Sequence, residues 1–183
     1  IICMIISPHV AIQEGMITFP EWMTEEQQKK CIQQNGIDVT MDRLFAIAPD
    51  VTAVLTEDER IYKPLQEQTP QDGLFLLRTG LVYDWSSDFK VNVPLDHCAM
   101  IIIRSSLNRV GCLSNSGNFD SGFSGNCAGV MSSRAGNVKI GLHSRVAQIM
   151  FYKCESASEY NGVYQNLDPT KNWSEQVPMV VMQ

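Results

Sequence analysis

The sequence predicts a mostly β chain, a compact and distorted β-barrel or sandwich with a short N-terminal helix. Between Val51 and Pro94, short β-prone pieces alternate with Pro, Gly, Asp and Asn clusters, and helix signals are nearly absent. Further on, AMIIIRSS and GNVKIGLHSRVAQIMFYKC carry the apolar character of core strands. Many short strands bounded by turn signals imply an antiparallel architecture.

The opening IICMII is apolar but stops at Ser7 and Pro8, too short for a membrane span and without the basic start of a signal peptide. SPHVAIQEG begins with a capping serine, places proline at the first helical position and ends in glycine, which predicts the short helix. MITFPEW and the polar, helix-prone TEEQQKKCIQQ follow. In NGIDVTMDRLFAI, the apolar residues Ile37, Val39, Met41 and then Leu44 indicate a strand, with Asp38 and Asp42 on its other face. VTAVL, RIYKPL, GLFLLRTG and KVNV are the next β-prone pieces. AMIIIRSS predicts a buried strand that leaves the core at Arg104. GNVKIGLHSRVAQIMFYKC predicts two strands or one long bent strand, with Val146, Ile149 and Phe151 among its apolar residues. The apolar ending QVPMVVMQ is expected to pack on the chain's own body or on a neighbouring subunit. With no repeat and no low-complexity linker, a single domain over 1–183 is expected, with 166–183 as a C-terminal tail.

Composition narrows the partners. A formal charge of -6 argues against nucleic acid and against an anionic membrane, since both need a basic face. The cysteines Cys3, Cys31, Cys98, Cys112, Cys127 and Cys154 are scattered and form no CxxC, so reduced thiols and a cytoplasmic location are expected. His9, His97 and His143 stand in neither an HxE nor a PCxxC pattern, which argues against zinc chemistry. All three are expected at the surface or half-buried.

The stretch RSSLNRVGCLSNSGNFDSGFSGN, from Arg104 to Asn126, is rich in Ser, Gly and Asn and holds a single carboxylate. A strand that delivers Arg104, Ser105 and Ser106, followed by a glycine-rich turn that delivers Asp120, suits an oligophosphate. Arginine offers a planar fork of donors, and hydroxyls with free backbone N–H groups complete an anion nest. The plain alternative is a flexible loop whose arginines pair with surface carboxylates.

The order RSSLNRVG, FDSGFSGN, SRVAQIMF resembles the motifs of the deoxyuridine triphosphatase and deoxycytidine triphosphate deaminase superfamily. NGIDV resembles its first motif, LVYDW to VPLD the strand and turn before the arginine-serine motif, and YNGVYQ the YxxxYQ tail of the deaminase branch. The resemblance implies a homotrimer with each active site where subunits meet, acting on a deoxypyrimidine nucleoside triphosphate with Mg2+. It implies that Arg104, Ser105 and Ser106 hold the triphosphate, with Ser105 or Ser106 beside the bond being broken. Arg109 and Gln148 match further phosphate-binding positions. Asp120 matches the residue that contacts the sugar and activates water, and Phe123 an aromatic on the deoxyribose face. Tyr164 and Gln165 match the tail's contribution, and Asp38 a first-motif carboxylate that reaches metal through water.

The pattern also departs from that family. The deaminase branch places a proton-shuttling glutamate where Val130 stands here, and no acidic side chain lies between Asp120 and Glu155. General acid–base catalysis contributes ~10²–10⁴-fold, so deamination by that route is disfavoured. The glycine-rich C-terminal motif of the triphosphatase branch is missing, and Val163 replaces the basic residue that usually precedes the YQ of the deaminase tail. The leading expectation is a dUTP pyrophosphatase yielding dUMP. The alternatives are a dCTP deaminase, a pyrophosphatase of dCTP or a modified pyrimidine, and a non-catalytic nucleotide-binding or regulatory member of the fold.

Overall fold

The computed structural model describes residues 4–57, 59–168, 170–171 and 173–177. Strand β1 (Met4–Ile5) precedes α1 (Pro8–Gln13), which starts at Ser7 and Pro8 as the sequence predicts. Strand β2 (Ile17–Thr18) leads to α2 (Glu25–Cys31), opened by a capping box. There the Thr24 hydroxyl accepts from the Gln27 N–H and the Gln27 side chain accepts from the Thr24 N–H, so both helix-end donors are satisfied. The NGIDVTMDRLFAI segment divides into β3 (Ile37–Thr40) and β4 (Arg43–Ile47). Short strands β5 (Val54–Leu55), β6 (Arg60–Ile61), β7 (Leu65–Glu67) and β8 (Leu74–Leu77) follow, then β9 (Val82–Asn92). Strand β10 (His97–Ile103) feeds α3 (Ser105–Arg109). The rest is β11 (Cys112–Asn115), β12 (Ser124–Ser133), β13 (Val138–Gly141), β14 (Arg145–Lys153) and α4 (Trp173–Gln176).

Two antiparallel sheets form the body. In one, β14 pairs with β10 along one edge and with β1 and β3 along the other. The second runs β11-β12-β9-β4-β7, with β2 also on β9. Two two-stranded sheets, β8 with β13 and β5 with β6, complete a mostly β, sandwich-like fold, and no closed barrel forms among the described residues. Alternation along β9 turns Tyr83, Trp85, Phe89 and Val91 into the core, where Val39, Ala99, Ala147, Ile149 and Phe151 of the first sheet join them. Burying each large apolar side chain contributes ~1.5–3 kcal/mol, so this interface holds the sheets together.

Several expectations are corrected. Asp38 and Asp42 lie on no exposed face, being 2% and 8% exposed. Asp42 is fully partnered: it accepts from the Thr40 and Ser87 hydroxyls and the Asp88 N–H, and lies 2.7 Å from His143 Nδ1. Such bonds offset the cost of taking a carboxylate out of water. Strand β10 is covered on one face only, because Met100 and Ile102 are 49% and 47% exposed while Ala99 is fully buried. RSSLNR, expected to stand at the strand's end or, on the plain alternative, in a flexible loop, makes the short helix α3. His97 is buried, with Nδ1 2.7 Å from Asp96. GNVKIGLHSRVAQIMFYKC forms two strands, and His143 takes φ +62 in the turn between them.

The described cysteines, Cys31, Cys98, Cys112, Cys127 and Cys154, are free thiols. Cys3 and the apolar ending beyond Val177 lie outside the described residues. Among the described residues, no helix is long and apolar enough to cross a membrane.

Gly36 shows how closely β3 approaches β14, since a Cβ there would lie 2.6 Å from the Ile149 carbonyl oxygen. Backbone cannot move aside as a flexible side chain does. Gly36→Ala is expected to destabilise by ~1–3 kcal/mol, read as a melting temperature lowered by roughly 2–12 °C. An unchanged melting temperature would show that the two strands separate at no cost.

Candidate functional site

The predicted residues fall into two groups on different sheets. The first lies on the outer face of the four-stranded sheet. Register places Gln148 opposite Asp38 on one side and Ile102 on the other. Asp38 Oδ2 lies 3.1 Å from Arg104 Nε and 3.2 Å from Arg145 Nη1, and Oδ1 accepts from Gln148 Nε2 at 3.2 Å. Burial raises the Asp38 carboxyl above its ordinary value, opposed by Arg104, the Gln148 hydrogen bond and Arg145.

Arg104 Nη1 donates to the Arg145 carbonyl at 3.2 Å, so two sides of its guanidinium are fixed while the side chain remains partly exposed. The fork is held by the protein's own contacts. Ser105 and Ser106 open α3 immediately after it and are exposed, as is Arg109 in the helix's last turn. Arg145, which also donates to the Lys30 carbonyl, is absent from the sequence-based set. Its place in SRVAQIMF was the available signal, but its partner Asp38 is distant in sequence.

The second group surrounds a cavity of about 580 Å³ on the outer face of the six-stranded sheet, within the range usual for small-molecule sites. Phe45, Asp84, Val130, Phe123, Tyr164 and the turn over 115–119 contribute to its lining. Phe123 is held edge-on between Phe119 and Tyr160, with ring centroids 5.2 and 5.5 Å away. Asp120 does not line the cavity. It is exposed beside it, accepting from Asn118 Nδ2 at 2.6 Å, and Asn118 and Phe119 are lining residues.

The tail closes the cavity from the other side. Gln165 Oε1 accepts from the Ser124 N–H and Nε2 donates to the Gly122 carbonyl, both at 2.8 Å, pinning the tail to the turn after Asp120. The Tyr164 and Tyr62 hydroxyls lie 3.4 Å apart, and both rings meet Trp173 edge-on. Burial, then the Tyr62 hydrogen bond, push the Tyr164 hydroxyl above its ordinary range.

Asp84 is the residue that sequence reasoning missed. Alternation with Tyr83 and Trp85 points it away from the core, yet it is only 8% exposed because α4 covers it. Trp173 Nε1 donates to Oδ2 at 2.9 Å, and Oδ1 is buried with no hydrogen-bond partner among the described residues. Burial pushes this carboxyl up to about 6, with the Trp173 hydrogen bond acting the other way. In the β9–β12 ladder Asp84 stands directly opposite Val130. A carboxyl therefore sits one strand away from the position where the sequence offers none.

Among the described residues, no three His, Cys, Asp or Glu side chains gather as a metal site. Asp38 is engaged by Arg104, Arg145 and Gln148 and serves as their anchor.

The family described as dCTP deaminase-like matches residues 10–154. The chain belongs to that family. Among its relatives, the probable deoxyuridine 5'-triphosphate nucleotidohydrolase of Methanosarcina mazei is 31% identical over 142 residues, covering 74% of this chain and 81% of that protein. The dUMP-forming dCTP deaminase of Kocuria rhizophila is 29% identical over 150 residues, 78% of each. The crystal structure of 2'-deoxycytidine 5'-triphosphate deaminase from Agrobacterium tumefaciens superposes with a TM-score of 0.61 at 14% identity. That match covers 82% of this chain but 48% of the Agrobacterium chain, and it shows the shared fold. The dCTP deaminase-like domain thus carries relatives of both expected branches.

The buried Asp84 makes stability depend on pH. Its carboxyl titrates at about 6 in the folded chain against an ordinary 3.8, so the folded state holds the proton more tightly. The Asp84 contribution to stability is therefore fully present below about pH 4 and is lost as pH rises through about 6, by ~3 kcal/mol. Urea unfolding should show Asp84→Asn gaining about that much on the wild type between pH 4 and pH 7. A constant difference would mean that Asp84 titrates as an ordinary aspartate.

Proposed function

We propose that this chain is a deoxynucleoside triphosphate pyrophosphatase that converts dUTP to dUMP and pyrophosphate. The observation that carries the reading is the preset Arg104, anchored by Asp38 and followed at once by Ser105 and Ser106, in a chain of this family. An arginine already fixed in place loses little freedom when it binds phosphate, so its charge is available at the transition state. Ser105 and Ser106 add hydroxyl donors, and Arg109 a second cation. Gln148, held against Asp38, supports this cradle from below.

Asp120 is exposed and adjacent to the cavity lining, as a general base for water requires. It takes a proton as the water oxygen bonds to the α-phosphorus, and pyrophosphate leaves with the electron pair of the broken bond. Phe123 faces the deoxyribose, while Tyr164 and Gln165 hold the tail over the base. Magnesium arrives as part of the substrate, on its phosphate oxygens, and offsets their charge. Free thiols fit a cytoplasmic role in the nucleotide pool.

The cradle and the cavity lie on separate sheets, so a second copy has to complete the site. Met100 and Ile102 offer the surface for it, being exposed apolar residues on the cradle's own sheet face. We read the assembly as a homotrimer, the closed ring in which each cradle meets a neighbour's cavity.

Two experiments test this reading. The protein is incubated with magnesium and dUTP, dCTP or dTTP separately, and products are resolved by chromatography. Release of dUMP and pyrophosphate from dUTP is expected, lost with EDTA and slowed ~10²–10⁴-fold by Asp120→Asn. Nucleotide-induced thermal stabilisation should survive that substitution. Near-normal turnover by Asp120→Asn would remove Asp120 as the base, and intact triphosphates throughout would favour the non-catalytic alternative. In light scattering, Ile102→Glu is expected to reduce the trimer mass to that of a monomer and to abolish turnover together. An active monomer would show that one chain suffices.

A further inference from the structure

We propose that Asn161 is a self-modification site: attack by the Gly162 amide nitrogen converts it to isoaspartate and so releases the tail from the turn after Asp120. The chain holds two Asn–Gly pairs, Asn35–Gly36 and Asn161–Gly162, alike in sequence and opposite in setting. Glycine after asparagine leaves the backbone nitrogen open to the side-chain carbonyl carbon, because no Cβ stands in the way. What separates the two pairs is the freedom of the backbone to bend into a ring. The modification needs no ligand in the cavity and does not depend on the nucleotide reading above.

Asn161 is exposed and lies outside every helix and strand. Among the described residues, no hydrogen bond holds its side chain or the Gly162 N–H. The Tyr160 ring, packed edge-on to Phe123, fills the space that a Cβ at 162 would take. Glycine is the residue that fits there, and the open nitrogen comes with it. Asn35 has the opposite setting. Gly36 is buried, and a Cβ there would lie 2.6 Å from the Ile149 carbonyl oxygen. Its own carbonyl accepts from the Gln33 N–H at 2.9 Å, and Ile32 and Ile37 bridge the ends of that turn. Two residues on, Asp38 ties β3 to Arg104 and Arg145. Closing a ring at Asn35 therefore requires β3 to lift from β14 and these ions to part.

Water is the only co-reactant. The Gly162 nitrogen bonds to Cγ of Asn161, its proton passes through solvent to the side-chain nitrogen, and the Cγ–Nδ2 bond breaks. Ammonia leaves with the electron pair of that bond, and a cyclic succinimide remains. Water then adds to either ring carbonyl carbon. Opening at Cγ gives aspartate, whereas opening at the main-chain carbon routes the peptide link through the side chain and gives isoaspartate. Both products carry a carboxylate where the amide was neutral. Nothing is oxidised or reduced.

The altered bond lies between fixed ends. The Tyr160 N–H donates to the Ser121 carbonyl, Gln165 spans the Ser124 N–H and the Gly122 carbonyl, and the Asn166 N–H donates to the Ser124 carbonyl. Isoaspartate inserts an extra methylene into the backbone between these attachments. The Gln165 N–H also donates to the Gly162 carbonyl at 3.2 Å, so the turn that aims the Gln165 amide begins at the modified link. The new carboxylate joins Glu159, whose side chain lies against Gly122. Added length and like charge both act to push the tail off the turn over 121–124.

The test ages the folded chain, without nucleotide, in warm and mildly alkaline buffer. Both Asn–Gly peptides are followed by mass spectrometry, and an isoaspartate-specific methyltransferase serves as the second probe. Asn161 is expected to deamidate at least ~10-fold faster than Asn35, whose ring closure waits on local opening of the sheet. In urea that unfolds the chain, the two rates should converge. Ion exchange separates the modified chains by their added charge, and hydrogen exchange then reads the Ser124 N–H, which donates to Gln165 Oε1 in the intact chain. Exchange there is expected to quicken at least ~10-fold in the isoaspartate fraction as the tail comes away. An aged Asn161→Gln chain, whose longer side chain closes a ring far less readily, should exchange as the fresh protein does. Intact Asn161, equal rates at the two pairs in the folded chain, or unchanged Ser124 exchange in the isoaspartate fraction would each overturn the proposal. Faster Ser124 exchange in aged Asn161→Gln would overturn it too, by placing the cause elsewhere in the chain.

Discussion

A carboxylate enclosed in protein sets the terms for the first sheet. Asp38 carries charge on an almost fully buried side chain, and Arg104, Arg145 and Gln148 converge on its two oxygens from β14 and from the end of β10. Removing one partner from a buried ion pair costs ~3–5 kcal/mol, because the other charge is left unmet in a poor solvent. A slip of one residue between β3 and β14 would turn Asp38 into the apolar core and Gln148 away from it. The ion pairs therefore fix the register as well as the position of Arg104. The same contacts that stabilise the sheet hold the guanidinium in place.

Local structure was legible where the signal was local. Ser7 and Pro8 at the start of α1 are adjacent, although the Ser7 side chain makes no capping hydrogen bond there, and the alternation in β9 and β14 repeats within each strand. The arginine-serine stretch and the FDSG turn stood out for the same reason, each being a contiguous run of residues. The partners of Asp38 and Asp42 were not legible, because a strand's alternating pattern marks a polar position without saying whether water or an arginine will meet it. Helix α3 was missed because its five residues carry no amphipathic period. Arg145 and Asp84 escaped because their roles depend on cross-strand register, which brings together residues 107 and 46 positions apart in the pairs Asp38–Arg145 and Asp84–Val130.

The separation of cradle and cavity follows from the architecture. Each sheet commits its inner face to the shared core, so its functional side chains have to stand on the outer face. Outer faces of two packed sheets look in opposite directions, and one chain cannot bring them together without giving up its core. The assembly proposed above would resolve this conflict without changing the fold. It would also give the exposed Met100 and Ile102 a burial that the single chain does not provide.

Asp84 and Val130 bear on how missing residues should be judged. Directly opposed side chains in an antiparallel pair have Cβ atoms ~4.5–5.5 Å apart and share one face. A carboxyl moved from one strand to its neighbour therefore still projects into the same cavity, from a slightly different wall. A search along one strand finds valine and concludes that the chemistry is absent. The ladder shows a carboxyl on the same face, desolvated enough to exchange a proton near neutrality. What sets the carboxyl's proton affinity here is the patch of sheet and helix around it, since the proton responds to distance and solvation and not to which strand carries the acid.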